Sequence, residues 1–291
     1  MCTGSSCGGA TGGGPKTFYV NGLSDGGSFI TAGPDGNLWF TESADNKIGR
    51  ISPSGDAKLF TPNANYPNGI TAGPDGRIWF TNVHQSSIGA IAPDGSATTY
   101  DAMMPQEFLA IGPDGNVWFT GNVLGFGAVS SAGAPVHQFK TWDPYGIATG
   151  PDGNLWATDW FDAQVGRLAP DGILTTFPTT GTTELITAGP DSALWFTEQT
   201  ANLIGRVTVD GSVTEFTVPT PGAYPTSIVA GPDGNLWFTE VMAKKLGRID
   251  PSGAITEFPL DMPAQGIAVG PDNNLWLTEP AAGAIVRFPP R

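Results

Sequence analysis

Apolar and polar residues along this chain alternate in short runs, not in helical stripes. Residues 70–72 read Ile-Thr-Ala, residues 38–41 Leu-Trp-Phe-Thr and residues 48–51 Ile-Gly-Arg-Ile. Such runs, bounded by Pro-Asp-Gly or Pro-Ser-Gly, predict strands joined by tight turns. Glycine accepts positive φ and proline presets φ near about −65°, which is what those turns need. No 3.6-residue periodicity predicts a helix between the runs.

The runs recur. A Gly-Pro-Asp motif begins at Gly33, Gly73, Gly112, Gly150, Gly189, Gly231 and Gly270, at intervals of 40, 39, 38, 39, 42 and 39 residues. Six residues after each glycine stands a tryptophan: Trp39, Trp79, Trp118, Trp156, Trp195, Trp237 and Trp276. Each unit holds four short strands, the fourth ending in an aromatic residue. Four strands at this period define one blade, so the chain is expected to be all-β, a seven-bladed β-propeller of four-stranded antiparallel blades. The seventh unit ends after its third strand, near residues 285–288. Residues 17–20 supply a spare strand, with Tyr19 placed where other units have Phe60, Tyr100, Phe139, Phe177, Phe216 and Phe258. The N-terminal strand is therefore expected to complete the last blade, which would remove an open edge. Residues 1–15 read as a flexible linker and residues 16–291 as one propeller domain.

Simple hairpin pairing sets Trp39 opposite Arg50, with Trp156–Arg167, Trp195–Arg206, Trp237–Arg248 and Trp276–Arg287 as its repeats. A cation–π contact explains the recurrence. Blades two and three carry Ala90 and Ala128 instead.

Composition narrows the partners. The 291 residues hold 13 basic and 27 acidic side chains, a net charge of −14. That charge repels polyanions and excludes nucleic acid as the natural partner. No apolar stretch reaches the roughly eighteen residues of a spanning helix. Cys2 and Cys7 lie in the Gly/Ser-rich start, where neither can staple the core. Met1 is followed at once by Cys2, so no signal peptide is expected. Cys2 fits either a lipid anchor or a flexible tail, and the location reads as extracellular or cell-surface, with a cytoplasmic one also open. The expected state is a monomer.

Strand direction sorts the loops onto two faces. The Gly-Pro-Asp face is repetitive scaffold, and the opposite face varies between units, so function is expected there. Five residues before each motif glycine stand Ser28, Asn68, Glu107, Tyr145, Glu184, Thr226 and Gln265, all polar, at the start of the inner strands. Three residues after each repeated tryptophan stand Glu42, Asn82, Gly121, Asp159, Glu198, Glu240 and Glu279. Carboxylates converging on one channel invite a hard cation such as Mg²⁺ or Ca²⁺. Trp142, Trp160, Tyr145 and Phe161, with Leu124, Phe126, Met103 and Met104 nearby, predict an aromatic shelf that would take a small, partly apolar molecule or peptide. His84 falls in a loop on the variable face, and His137 on an outer strand facing solvent.

The stretches GITAGPDGRIWFTN…SSIGAIAPDG (69–95) and SIVAGPDGNLWFTEVMAKKLGRIDPSGAITEFPL (227–260) resemble the repeat of the virginiamycin B lyase, or streptogramin lyase, family. The resemblance runs over residues 17–288. It implies a propeller that opens a cyclic depsipeptide by elimination at its ester bond, with Mg²⁺ and a histidine base. The family's functional histidines precede the first strand of the last two blades, where this chain has Thr226 and Gln265. Neither can serve as a base near neutral pH. The second-strand carboxylates remain, as Glu240 and Glu279. The residues thus read as a streptogramin-lyase-like propeller that binds a ligand at the channel mouth without the lyase activity. A Mg²⁺-dependent lyase or hydrolase of a cyclic ester, with Glu184, Glu107 or His84 replacing the base and Glu240 and Glu279 on the metal, is the alternative. A protein-interaction scaffold is a third.

Overall fold

The computed structural model describes residues 14–23, 28–102, 107–121, 125–140 and 142–290. Cys2, Cys7, most of the expected linker, Met103, Met104 and Leu124 lie outside the described residues. The described strands form seven antiparallel four-stranded sheets, six of them in chain order from the inside outward. Blades one to six span residues 30–60, 67–101, 109–139, 144–178, 186–217 and 225–259. In the seventh, residues 267–288 supply three strands, and Lys16–Tyr19 pairs with Ala284–Phe288 as the outermost. The inner strands touch one another around the ring. Among the described residues the one helical element is a short 3₁₀ turn, Pro280–Ala282.

Phe18, not Tyr19, occupies the aromatic position of the outer strand. Phe18 lies opposite Ile285, as Phe60 lies opposite Ile48. It stacks on Trp276 at 5.5 Å, while Tyr19 is 76% exposed. Side chains alternate faces along a strand, so a one-residue slip reverses the assignment.

Each repeated tryptophan is buried against the next blade. Trp39 packs with Phe80 and Trp156 with Phe196, and the series continues with Trp195 on Phe238 and Trp237 on Leu277. Trp276 closes the ring on Phe40. At about 25 cal/mol per Å², a buried ring of about 200 Å² contributes on the order of 5 kcal/mol. The motif aspartate completes the unit: each indole N–H donates to it, at 2.9 to 3.1 Å in all seven blades. Burial opposes the charge on these carboxylates. The bonds from the indole and neighbouring groups outweigh it and hold the carboxyls below their usual range.

The tryptophan–arginine register holds at all five expected pairs. The guanidinium carbons of Arg50, Arg167, Arg206 and Arg248 sit 5.6 to 5.8 Å from the ring centroids. Three arginines also reach a carbonyl of the following blade: Arg50 to Pro93, Arg167 to Val209 and Arg287 to Pro53. Blades two and three fill the place differently. Arg77, from the turn before Trp79, lies 5.0 Å from that ring and donates to the Ser131 carbonyl. In blade three His137 leans over Trp118 at 5.2 Å, nearly parallel to it. His137 is therefore a partner of the tryptophan and not simply solvent-facing.

Candidate functional site at the channel mouth

A ring of seven aliphatic side chains narrows the centre: Ile30, Ile70, Leu109, Ile147, Ile186, Ile228 and Ile267 all line a central cavity of about 140 Å³. Branched chains at one position of every inner strand leave little room for water, so the chemistry gathers above them.

Above this ring stand the polar residues expected from the sequence, and a feature the sequence reading missed fixes them. The threonine two residues after each repeated tryptophan is fully buried. Its hydroxyl donates to the backbone carbonyl of the polar residue in the next blade. Thr41 serves Asn68 at 2.8 Å, Thr239 serves Gln265 at 2.9 Å, and Thr278 serves Ser28 at 3.1 Å. Thr81, Thr120, Thr158 and Thr197 do the same for Glu107, Tyr145, Glu184 and Thr226. Seven bonds thus run round the mouth and close on the first blade. The signal was present in all seven units, since a threonine stands there each time. Close approach between inner strands demands a small residue beside some of these carbonyls: a Cβ on Gly69, Gly146 or Gly266 would lie 2.6 to 2.8 Å from the next blade's carbonyl oxygen.

Side chains on one arc of the ring meet. Asn68 donates to the Glu107 carbonyl at 3.4 Å. Tyr145 packs edge-on against Phe108 at 5.0 Å and lies tilted against Trp160 at 4.9 Å. Gln199 donates to Glu184 at 2.5 Å and to the Thr226 hydroxyl at 3.3 Å. Ser28 bonds Ser43 at 2.9 Å. Burial pushes the Glu184 carboxyl up to about 8. Burial and the charges of Glu184 and Glu107 hold the Tyr145 phenol well above the usual tyrosine range. At neutral pH this arc therefore offers two proton-bearing groups, a carboxylic acid and a phenol.

The rim around the arc is apolar. Trp160, Phe161, Tyr66, Tyr224 and Met242 are 36, 65, 43, 39 and 70% exposed. His84 stacks on Tyr66 at 4.5 Å and stays on this rim, apart from Glu184 and Thr226. Tyr66, Tyr224 and Met242 escaped sequence reading because nothing local distinguishes an exposed loop aromatic from a packed one.

Trp142 is not part of the shelf. Blade four has Ala157 where blades one, two, three, five and six have phenylalanine, and Trp142 fills that space: a Cβ on Gly166 would lie 2.3 Å from its ring. In those five blades the equivalent glycine faces the phenylalanine itself. Phe126 is likewise fully buried in the core.

The acidic positions are also placed differently from expectation. They are buried among loop ends and do not gather on the axis. Glu42 accepts the Asp45 amide at 2.8 Å, and Asp159 accepts the amides of Phe161 and Asp162, each at 2.9 Å. Glu198 accepts the Gly181 amide at 2.6 Å. Alternation again decides: these residues share a strand face with Phe40 or Phe196, turned from the face of the channel-side threonine. Burial pushes Glu240 and Glu279 up to about 7, with Glu257 and Asp261 adding to it respectively. Among the described residues no three His, Cys, Asp or Glu side chains come together.

A closed ring of seven four-stranded blades with a variable, chemically mixed mouth makes this chain a seven-bladed β-propeller. The profile of the virginiamycin B lyase family matches residues 7–140 and 129–290, and the chain belongs to that family. A streptogramin B lyase structure is 30% identical, covering 94% of this chain and 96% of its own, with a TM-score of 0.87. Virginiamycin B lyase from Staphylococcus aureus is 29% identical over 95% and 99% of the two chains, with a TM-score of 0.89. A catalytically inactive histidine-to-alanine variant of that enzyme, solved with quinupristin, gives 29% and 0.87. A search of curated proteins returns no match.

Proposed function

We propose that this propeller binds a small, partly apolar molecule or peptide at the channel mouth and does not carry out the family's elimination chemistry. The observation behind this reading is the arc Glu107–Tyr145–Glu184–Thr226, rimmed by Trp160 and Phe161. Neutral donors suit the carbonyl oxygens of an ester or amide, and exposed aromatic faces suit its apolar side. Thr226 and Gln265 occupy the places of the family's histidines. The two histidines of this chain are held elsewhere, His84 on Tyr66 and His137 on Trp118. An extracellular or surface location, with anchoring through Cys2, and a monomeric state belong to the same reading. Among the described residues no helix is long and apolar enough to cross a membrane.

Quinupristin is the probe. Titration is expected to change tryptophan fluorescence saturably, while mass spectrometry finds the compound intact after long incubation. Trp160→Ala is expected to weaken binding about tenfold, the equivalent of roughly 1.4 kcal/mol, with the fold unchanged. Ring opening by the wild-type protein would sink the non-catalytic reading.

A metal-assisted lyase or hydrolase of a cyclic ester is the second reading, favoured by both carboxylate oxygens of Glu240, which are buried without hydrogen-bond partners. Together with Glu279 of the next blade, Glu240 would offer a cation only oxygen donors, the kind that Mg²⁺ or Ca²⁺ takes. A bound ion there would polarise the ester carbonyl. Glu184 then has a proton affinity matched to acid–base work near neutral pH. Mg²⁺-dependent turnover lost in Glu279→Gln would favour it.

A further inference from the structure

Blades five and six share one arrangement at their loop ends, a strand glutamate that holds a loop threonine. In blade six Glu257 accepts the amide and hydroxyl of Thr220, both at 2.8 Å. The Lys245 ammonium lies 2.6 Å from Glu257 and 2.5 Å from the Thr220 hydroxyl. Lys245 stands directly opposite Glu240, so its charge also bears on that buried carboxylate. In blade five Glu215 accepts the amide and hydroxyl of Thr180, at 2.7 and 2.5 Å. Glu198 takes the place of Glu240, within hydrogen-bonding reach of Glu215. Opposite Glu198, however, the chain has Leu203 in place of a lysine.

No third residue donates between the two facing carboxyl groups, and burial, with Glu215 adding to it, pushes Glu198 up to about 8, so both are ionised only in mildly alkaline solution unless a cation joins them. Glu198 is fully buried; its Oε2 accepts the Gly181 amide at 2.6 Å, and its Oε1 is enclosed without any partner. An uncompensated buried charge is costly. Three other blades avoid the problem in other ways. Glu42 faces Lys47, Asn82 bonds Ser87 at 3.0 Å, and Asp159 takes the Gln164 amide at 2.9 Å.

We propose that blade five binds a divalent cation of calcium size where blade six places the Lys245 ammonium, held by Glu198 Oε1, Glu215 and the Thr180 hydroxyl. Blade six supplies the template, since the ammonium there touches the counterparts of two of these groups, Glu257 and Thr220. The donors are all oxygen, which selects a hard cation. Two carboxylates balance a double charge. Glu198 and Glu215 stand on strands and Thr180 on a loop, and a site with one adjustable ligand suits the adaptable coordination of Ca²⁺ better than the strict octahedron of Mg²⁺. The site lies between the loop at residues 179–182 and blade five, and it is independent of what occupies the channel mouth.

The test is a CaCl₂ titration near pH 8.5, read by calorimetry and by thermal unfolding. Wild-type protein is expected to take up Ca²⁺ saturably and to unfold at higher temperature as it does so. Glu198→Gln is expected to abolish both effects. Leu203→Lys is expected to abolish them too, while raising the metal-free unfolding temperature above wild type. Glu279→Gln keeps the calcium response, which separates this site from any ion at Glu240 and Glu279. If Leu203→Lys does not fold, Glu198→Gln and Glu215→Gln decide. No calcium uptake by the wild type, or a response that survives Glu198→Gln, overturns the proposal.

Discussion

Glu184 is the residue whose chemistry departs furthest from its ordinary behaviour while remaining at the mouth. It is 6% exposed, and the Gln199 amide holds it beside Thr226. Its folded-state proton affinity, near 8, lies above the unfolded value of 4.5. The folded protein thus keeps a proton that the unfolded chain sheds, and the linked stability is complete below about 4.5 and lost as pH rises through about 8. Glu184→Gln is expected to flatten the fall in unfolding temperature between pH 6 and 9. At pH 9 the variant should unfold at or above the wild-type temperature. An unchanged slope in a thermal-shift series would show that Glu184 titrates normally. The sequence placed Glu184, Tyr145 and Thr226 at the mouth through their constant distance from the motif glycine. It did not show that Gln199 joins Glu184 to Thr226, because that contact crosses a blade and spans 27 residues.

At the scale of the blade, one requirement has three solutions. Every repeated tryptophan has a nitrogen-rich side chain nearby: an arginine from the third strand in five blades, Arg77 from a turn in blade two, and His137 from the outer strand in blade three. The sequence showed the five directly opposite arginines, since a hairpin register is countable. It did not show the substitutes, because Arg77 and His137 reach Trp79 and Trp118 from other strand positions. His137→Thr is expected to lower stability by about 1 kcal/mol, the scale of one exposed cation–π or stacking contact. Adding Ala128→Arg to that variant recreates the Arg167–Thr175 pairing of blade four and is expected to restore the loss. Chemical denaturation of the single and double variants checks it. A double variant no more stable than His137→Thr would mean that the groove beside Trp118 cannot admit a guanidinium.

Over the whole molecule, two kinds of backbone-anchored bond help to join the chain ends. One is the ladder between Lys16–Tyr19 and Ala284–Phe288, and the other is the Thr278–Ser28 bond between the last and first blades. Deleting residues 1–20 removes the ladder, uncovers Trp276 by taking Phe18 away, and leaves the strand Ala284–Phe288 as an open edge. The truncated protein is expected to unfold at least 10 °C lower and to elute partly as aggregate on size exclusion, on the scale of a few kcal/mol for a chain of this size. Monomeric elution at an unchanged unfolding temperature would show that the other inter-blade bonds suffice.

The sequence by itself determined the number of blades, the strands within each, the Trp–Arg register and the polar ring at the mouth. All of these follow from counting: a fixed period and strict alternation place a residue without knowledge of its neighbours. Tertiary structure decided what counting cannot reach. The acidic positions turned into loop ends, Trp142 went to fill the space left by Ala157, and Phe18 displaced Tyr19 from the core. Each outcome depends on which volume or charge the adjacent blade leaves uncompensated, and that quantity exists only once two blades are packed together.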